Sequence, residues 1–192
     1  MTQSYAQDNE DLLMDKFLVD LGKKDISYVD IGAGDPIIIN NTYYFYQKGF
    51  HGVLVDPLPW NCKLIREKRP RDILIEGVIY DGAESEVYVR VKGRHGGGSR
   101  IVSTKPPEHK RQVTASACNI NDVLDYFRKI PDLVSIDAEG YDLTILKSMN
   151  LKKRRIPIIC VETEHDQNIV PFMTSNDYKI VAKTRSNTIF MQ

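Results

Sequence analysis

Short apolar runs that close on an acid recur along this chain: Gly52 to Asp56 (GVLVD), Leu133 to Asp137 (LVSID) and Ile156 to Glu162 (IPIICVE). Such runs lack the polar alternation of a half-exposed strand, so they read as strands buried on both faces, as in a parallel sheet. Stretches of helical character lie between them, and parallel neighbours require crossovers of that kind. The chain is thereby restricted to an α/β sheet, with acids at the carboxyl ends of its strands, where open sheets bind their ligands.

The run YVDIGAGDP, Tyr28 to Pro36, says what that ligand could be. Tyr28, Val29 and Ile31 favour a strand, and Gly32, Ala33 and Gly34 then allow a sharp turn and close approach of a ligand. Gly32 and Gly34 supply G-x-G, but the third glycine of a dinucleotide fingerprint would fall at Ile37. Asp30 and Asp35 flank the turn; a pyrophosphate would be repelled there and a cation attracted. S-adenosylmethionine, which has no phosphate and carries a sulfonium and an ammonium, fits that description. A tight βα turn with no ligand fits the stretch equally well.

At 192 residues the simplest organisation is one domain, residues 1–192. Lys plus Arg and Asp plus Glu both number 26, which gives no electrostatic case for nucleic acid or an anionic membrane. No apolar run approaches the roughly 20 residues of a membrane span. The start lacks a signal peptide's basic and apolar regions, and Cys62, Cys118 and Cys160 are isolated, so a reduced, cytoplasmic protein is expected.

Periodicity and punctuation predict a helix over residues 4–21, capped by Ser4 and ended by Gly22. Helices are also expected from Asn41 or Thr42 to Lys48, Trp60 to Lys68, Asn121 to Lys129, Asp142 to Met149 and Gln167 to Thr174. Strands are expected over Asp72 to Tyr80, Glu86 to Val91 and Gln112 to Cys118. Two β-like runs, Tyr178 to Lys183 and Thr188 to Met191, close the chain. Residues 93–107, rich in Gly, Pro and basic side chains, read as a mobile loop. The fold class is α/β, a mostly parallel twisted sheet with an antiparallel C-terminal strand pair.

With those elements placed, the chain resembles the FkbM family of class I S-adenosylmethionine-dependent methyltransferases. The resemblance is carried by YVDIGAGDP, NNTYYFYQKGF (Asn40 to Phe50), HGVLVDPLP (His51 to Pro59) and VSIDAEGYDLTILKS (Val134 to Ser148). The chain departs where Pro36 and three isoleucines stand and many class I enzymes keep another glycine. The resemblance implies a Rossmann-like fold and S-adenosylmethionine as cofactor. It implies that Gly32, Ala33 and Gly34 underlie the methionine part, that Asp30 attracts the ammonium and Asp56 the ribose hydroxyls, and that Glu76 and Gly77 lie near the adenine. Asn41 and Thr42 either donate to the cofactor carboxylate or simply cap a helix.

The family implies O-methylation of a small-molecule hydroxyl, on a sugar, glycoconjugate or other metabolite. An alcohol must lose its proton, to a general base or on a metal. Asp137, Glu139 and Glu162, with His165 beside them, are the candidate catalytic residues at the ends of the fourth and fifth strands. Two close carboxylates repel, so either one is partly protonated or a hard cation such as Mg²⁺ lies between them. The metal-free base is preferred, because no further ligand completes a cage. Tyr44 and Lys48 make the Y-x-x-x-K of a nicotinamide oxidoreductase, but far from the strand ends where a catalytic pair is needed. A methyltransferase-like binding module is the non-enzymatic alternative, against which the acids at Asp30, Asp56 and Asp137 stand.

Overall fold

The computed structural model describes residues 2–93, 97–102 and 106–192. The first strand, β1 (Ser27–Ile31), lies in the interior of a seven-stranded sheet. On one side it pairs in parallel with β2 (His51–Asp56), which pairs with β3 (Ile73–Glu76). Between Glu76 and Leu133 the chain builds a second, four-stranded sheet from β4 (Val78–Ile79), β5 (Glu86–Arg90), β6 (Arg100–Val102) and β7 (Gln112–Cys118), in the order β4-β7-β5-β6. It then returns to the other side of β1 as β8 (Leu133–Ile136), parallel to both β1 and β9 (Ile158–Glu162). An antiparallel hairpin, β10 (Lys179–Lys183) and β11 (Asn187–Met191), closes the sheet through β11 on β9.

The expected mixed α/β architecture is therefore present, with its antiparallel C-terminal pair. The change of direction on either side of β1 makes a crevice at its carboxyl end, which is where doubly wound sheets hold ligands.

Alternate residues along the strands face opposite layers. Val29, Val53, Val134 and Ile159 pack beneath α4 (Ile120–Leu124), α5 (Asp142–Ser148), α6 (Leu151–Arg154) and α7 (Ile169–Ser175). Tyr28, Leu54, Leu133 and Ile158 face α1 (Glu10–Asp20), α2 (Tyr43–Gln47) and α3 (Pro59–Lys68), where Met14, Leu18 and Ile65 are fully buried. A third cluster, Leu58, Val78, Val87, Val89 and Ala115, lies under the second sheet. No helix among the described residues is long and apolar enough to cross a membrane.

Several element boundaries differ from expectation. α1 starts at Glu10 rather than Ser4, behind Asn9 at φ 65°. Ser4 is not its cap: the Asp11 carboxylate accepts from Ser4 Oγ (2.6 Å) and Tyr5 N (2.7 Å), so residues 4–8 wrap back over the helix start. The strand expected over Asp72 to Tyr80 breaks at Gly77, where a Cβ would lie 2.5 Å from the Ser116 carbonyl oxygen. Only that glycine lets β3 pass against β7 and continue as β4 in the other sheet.

The helix expected from Asn121 to Lys129 is the short α4, capped by the Asn119 side chain, which accepts from Asn121 N. The basic run at Lys152 forms α6, from which Arg154 reaches Asp125 (2.8 Å). Of the segment 93–107, expected to be a mobile loop, Arg100–Val102 is strand β6, paired with β5. Residues 94–96 and 103–105 of that segment lie outside those described.

Candidate active site

The turn after β1 is pinned from both sides. Gly32 and Ala33 donate to the Val55 carbonyl of β2 (2.9 and 3.2 Å), while Asp137 N donates to the Ile31 carbonyl (3.0 Å). Gly32 has φ +76°, and a Cβ there would lie 1.9 Å from the Asp137 carbonyl oxygen, so no other residue fits between the ends of β1 and β8. Gly34 N then donates 2.8 Å to Asp56 Oδ2, which draws the turn over the end of β2.

Asp56 is 3% exposed, and its other partners are Leu58 N (2.8 Å) and Asn61 Nδ2 (3.2 and 3.3 Å). Burial lifts its pKa to about 6, against the opposing pull of those hydrogen bonds. Asp30, also buried, accepts from Thr42 Oγ1 (2.6 Å) and Asn40 Nδ2 (3.3 Å). Its pKa is raised by burial and restrained by the Arg69 guanidinium.

Beside the turn opens a small crevice of about 60 Å³. It is lined by Gly32, Val55, Pro57, Gly77, Val78 and Ile79, by Asp137 and Ala138 after β8, and by Ile101 of β6. Three of the sequence-derived site residues, Gly32, Gly77 and Asp137, therefore share one cavity wall. Glu76 does not face it in the same way: its carboxylate pairs with Arg66 of α3. Asn41 donates to Ser135 Oγ (3.1 Å), and Thr42 is committed to Asp30. Neither side chain caps α2; Thr42 N and Tyr43 N donate instead to Asn40 Oδ1 (3.0 and 2.8 Å).

Beside this turn, carboxylate oxygens of Asp137, Glu139 and Glu162 lie within 4.8 Å of one another. Asp137 is solvent-exposed at the end of β8, yet the surrounding protein and the neighbouring acids Glu162 and Glu139 push its pKa up to about 8. Glu162 is raised to about 6, by burial first and then by Glu139 and Asp142. Glu162 Oε2 is buried and has no hydrogen-bond partner among the described residues. His165 Nε2 stands 3.9 Å from Glu162 Oε1 on an exposed turn. Glu139, at φ 51°, accepts from Gly98 N (2.5 Å) and ties the start of β6 to the crevice rim.

Sequence reasoning missed Asn40, Asn61, Arg69 and the apolar lining residues. Asn40 opens the run NNTYYFYQKGF but has no role assigned there, Asn61 lies in no motif, and Arg69 follows a basic helix end. The Arg69–Asp72 spacing of three residues was the one available signal. Tyr44 and Lys48 both bind Asp15 of α1 (3.0 and 2.6 Å), so the Y-x-x-x-K spacing is a clamp between helices rather than a catalytic pair.

A model of the methyltransferase FkbM domain matches residues 30–180. The chain belongs to that family. It is thus a class I S-adenosylmethionine-dependent methyltransferase. Among solved structures it is similar to a precorrin-6y C5,15-methyltransferase from Geobacter metallireducens, with 15% identity over 99% of this chain and 89% of that one, TM-score 0.50. It is also similar to a human methyltransferase 10 domain containing protein, with 13% identity, 94% and 80% coverage, and TM-score 0.50. These similarities establish the fold. No curated protein sequence matches the chain.

The residues present fit the family's cofactor. The apolar slot beside Gly77 suits a purine, and the acids at Asp30, Asp56 and Asp137 suit a ligand that is cationic and free of phosphate.

Proposed function

We propose that the domain methylates a hydroxyl of a small-molecule acceptor, such as a sugar or another polyhydroxylated metabolite, at the end of the crevice formed by β8 and β9. In this reading Gly32 to Gly34 and Asp30 hold the methionine end of S-adenosylmethionine, Asp56 the ribose hydroxyls, and the Gly77 to Ile79 wall the adenine. Bound there, the cofactor supplies a methyl carbon already activated by its sulfonium.

The observation that carries the choice of a hydroxyl is the convergence of Asp137 and Glu162, with pKa values near 8 and 6. An amine acceptor needs little help to become nucleophilic, whereas an alcohol needs a base in reach. Two carboxylates with pKa values driven apart divide the roles of acid and base. Near neutral pH the pair keeps one proton, chiefly on Asp137, and Glu162 accepts the hydroxyl proton. Glu139 holds Gly98 and so the β6 side of the crevice, and the apolar wall excludes water that would compete for the base.

The test is the pH dependence of kcat/KM with a panel of sugar and polyol acceptors. Its acid limb should fall near pH 6, and Glu162→Gln should remove that limb along with most of the activity. EDTA should leave the activity unchanged. Loss of activity in EDTA, restored by Mg²⁺, would replace the carboxylate base with a metal-bound alcohol.

A further inference from the structure

Arg69, at the C-terminal end of α3, is the largest fully buried side chain among the described residues. A buried guanidinium is tolerated only when paired and fully hydrogen-bonded. Asp72, whose side chain is equally buried, supplies the counter-charge at 2.7 Å and is itself held by Tyr28 Oη (2.8 Å) and Gly52 N (2.7 Å). Asp72 takes only the Nε proton, so the charge is paired but the four Nη protons need other acceptors.

The remaining contacts of Arg69 lead elsewhere. Nη1 donates to Asn40 Oδ1 (3.0 Å), and Nη2 to Thr42 Oγ1 (3.0 Å) and Tyr28 Oη (3.1 Å). Asn40 Nδ2 donates to the Ala33 carbonyl (3.0 Å), the Asp35 carbonyl (3.2 Å) and Asp30 Oδ2 (3.3 Å). Thr42 Oγ1 donates to the same Asp30 oxygen. One guanidinium thus reaches, through a single intermediate residue, both the carboxylate of β1 and the two carbonyls that shape the turn after it.

That turn needs outside support. Between Ile31 and Tyr43 there is no regular structure, and Ile39 sits at φ 54°, a costly conformation for a β-branched residue.

We propose that Arg69 is a positioning residue for the cofactor site: acting through Asn40 and Thr42, it fixes the turn after β1 and the Asp30 carboxylate in the geometry that receives the methionine end of S-adenosylmethionine. The inference rests on the cofactor reading above. The charge has a second effect. Asp30 is surrounded by Arg69, Asp72, Asp56, Asp137 and Cys160, and Arg69 is the cation among them that opposes the burial of its carboxylate. Weakening the link from Arg69 therefore raises the pH below which Asp30 is protonated and no longer attracts an ammonium.

Calorimetric titration with S-adenosylhomocysteine at a series of pH values tests the inference, on wild type, Thr42→Val, Arg69→Lys and Arg69→Met. Thermal unfolding and far-UV circular dichroism of each protein verify that it is folded. Arg69→Lys keeps the charge and the direct Thr42–Asp30 bond, so a loss there belongs to the Arg69 fork; Thr42→Val keeps the Arg69–Asp72 pair and tests the last link to Asp30, and the two together stand where Arg69→Met fails to fold. The expected result is a dissociation constant raised about tenfold in Thr42→Val and Arg69→Lys, and more in Arg69→Met. The pH below which binding weakens should also move upward in Thr42→Val. Folded Thr42→Val and Arg69→Lys with wild-type dissociation constants and an unmoved pH dependence would overturn the inference. Wild-type protein that does not bind S-adenosylhomocysteine would instead overturn the cofactor reading on which it rests.

Discussion

At Gly32 a backbone constraint and a functional turn coincide. Its φ of +76° alone would cost an alanine about 1–2 kcal/mol. The Asp137 carbonyl oxygen, 1.9 Å from where the Cβ would be, adds a clash that only movement of β8 relieves. Gly32→Ala should therefore lower stability by at least about 3 kcal/mol in urea unfolding. Gly22→Ala, at φ +73° but with nothing within 4 Å, should lose only the smaller conformational cost. Equal losses for the two would mean that the β8 end yields freely. Asp56 presents the opposite case, a side chain held by several donors. Asp56→Ala leaves Gly34 N without its acceptor and is expected to weaken S-adenosylhomocysteine binding by about 1–3 kcal/mol, as read by calorimetry. An unchanged dissociation constant would move the ribose site elsewhere. Both residues were legible in the sequence, because glycine after a strand and an acid ending one have a local meaning. Arg69 was not: its partners lie 27 to 41 residues away along the chain, apart from Asp72, and no local pattern announces them.

Among the elements, parallel strands were the easiest to read and the second sheet the hardest. β2, β8 and β9 are continuous apolar runs because both of their faces are covered, and that signal is independent of their partners. β6 is three residues long and pairs only with β5; nothing in a glycine-rich basic segment distinguishes such a strand from a loop. Its place depends on tertiary contacts, with Val89 and Ile101 facing the crevice and Gly98 bonded to Glu139. α1 was extended too far for a related reason. Residues 4–8 look helical by composition, but Asp11 accepts their donors in a wrapped conformation. Glu139→Ala should accordingly release the start of β6 while leaving β5 and β7 paired. Hydrogen exchange is expected to speed up at Gly98 to Ile101 and not at Val87 or Val113, and the acceptor KM to rise. Unaltered exchange at Gly98 would show that β6 holds its position without the Glu139 contact.

For the molecule as a whole, equal numbers of acids and bases conceal an uneven arrangement, because the sheet gathers its strand-end acids on one side. Three of them, Asp56, Asp137 and Glu162, have pKa values raised to about 6, 8 and 6. A group whose pKa is higher folded than unfolded contributes fully below its unfolded value and loses that contribution as pH rises through the folded one. Stability is therefore expected to decline from about pH 4 toward pH 8, with Asp56 and Glu162 each accounting for on the order of 2–3 kcal/mol. Asp137 adds to the same direction, reduced by its exposure to water. Below that window the sign reverses. Glu10, held by Thr184 and Asn187, and Asp132, held by Lys23 and Ser27, have lowered pKa values; their contribution is lost as pH falls through them. The ligand-free protein should thus be most stable in mildly acidic solution, near pH 4 to 5, despite a pI of about 6.9. Thermal unfolding across this range measures it directly. The decline toward pH 8 should shrink in Asp137→Asn, which removes the charge that the other acids repel. A melting temperature that rises from pH 5 to pH 8 would mean that the strand-end acids already have cationic partners, and that the crevice is not the electronegative site described above.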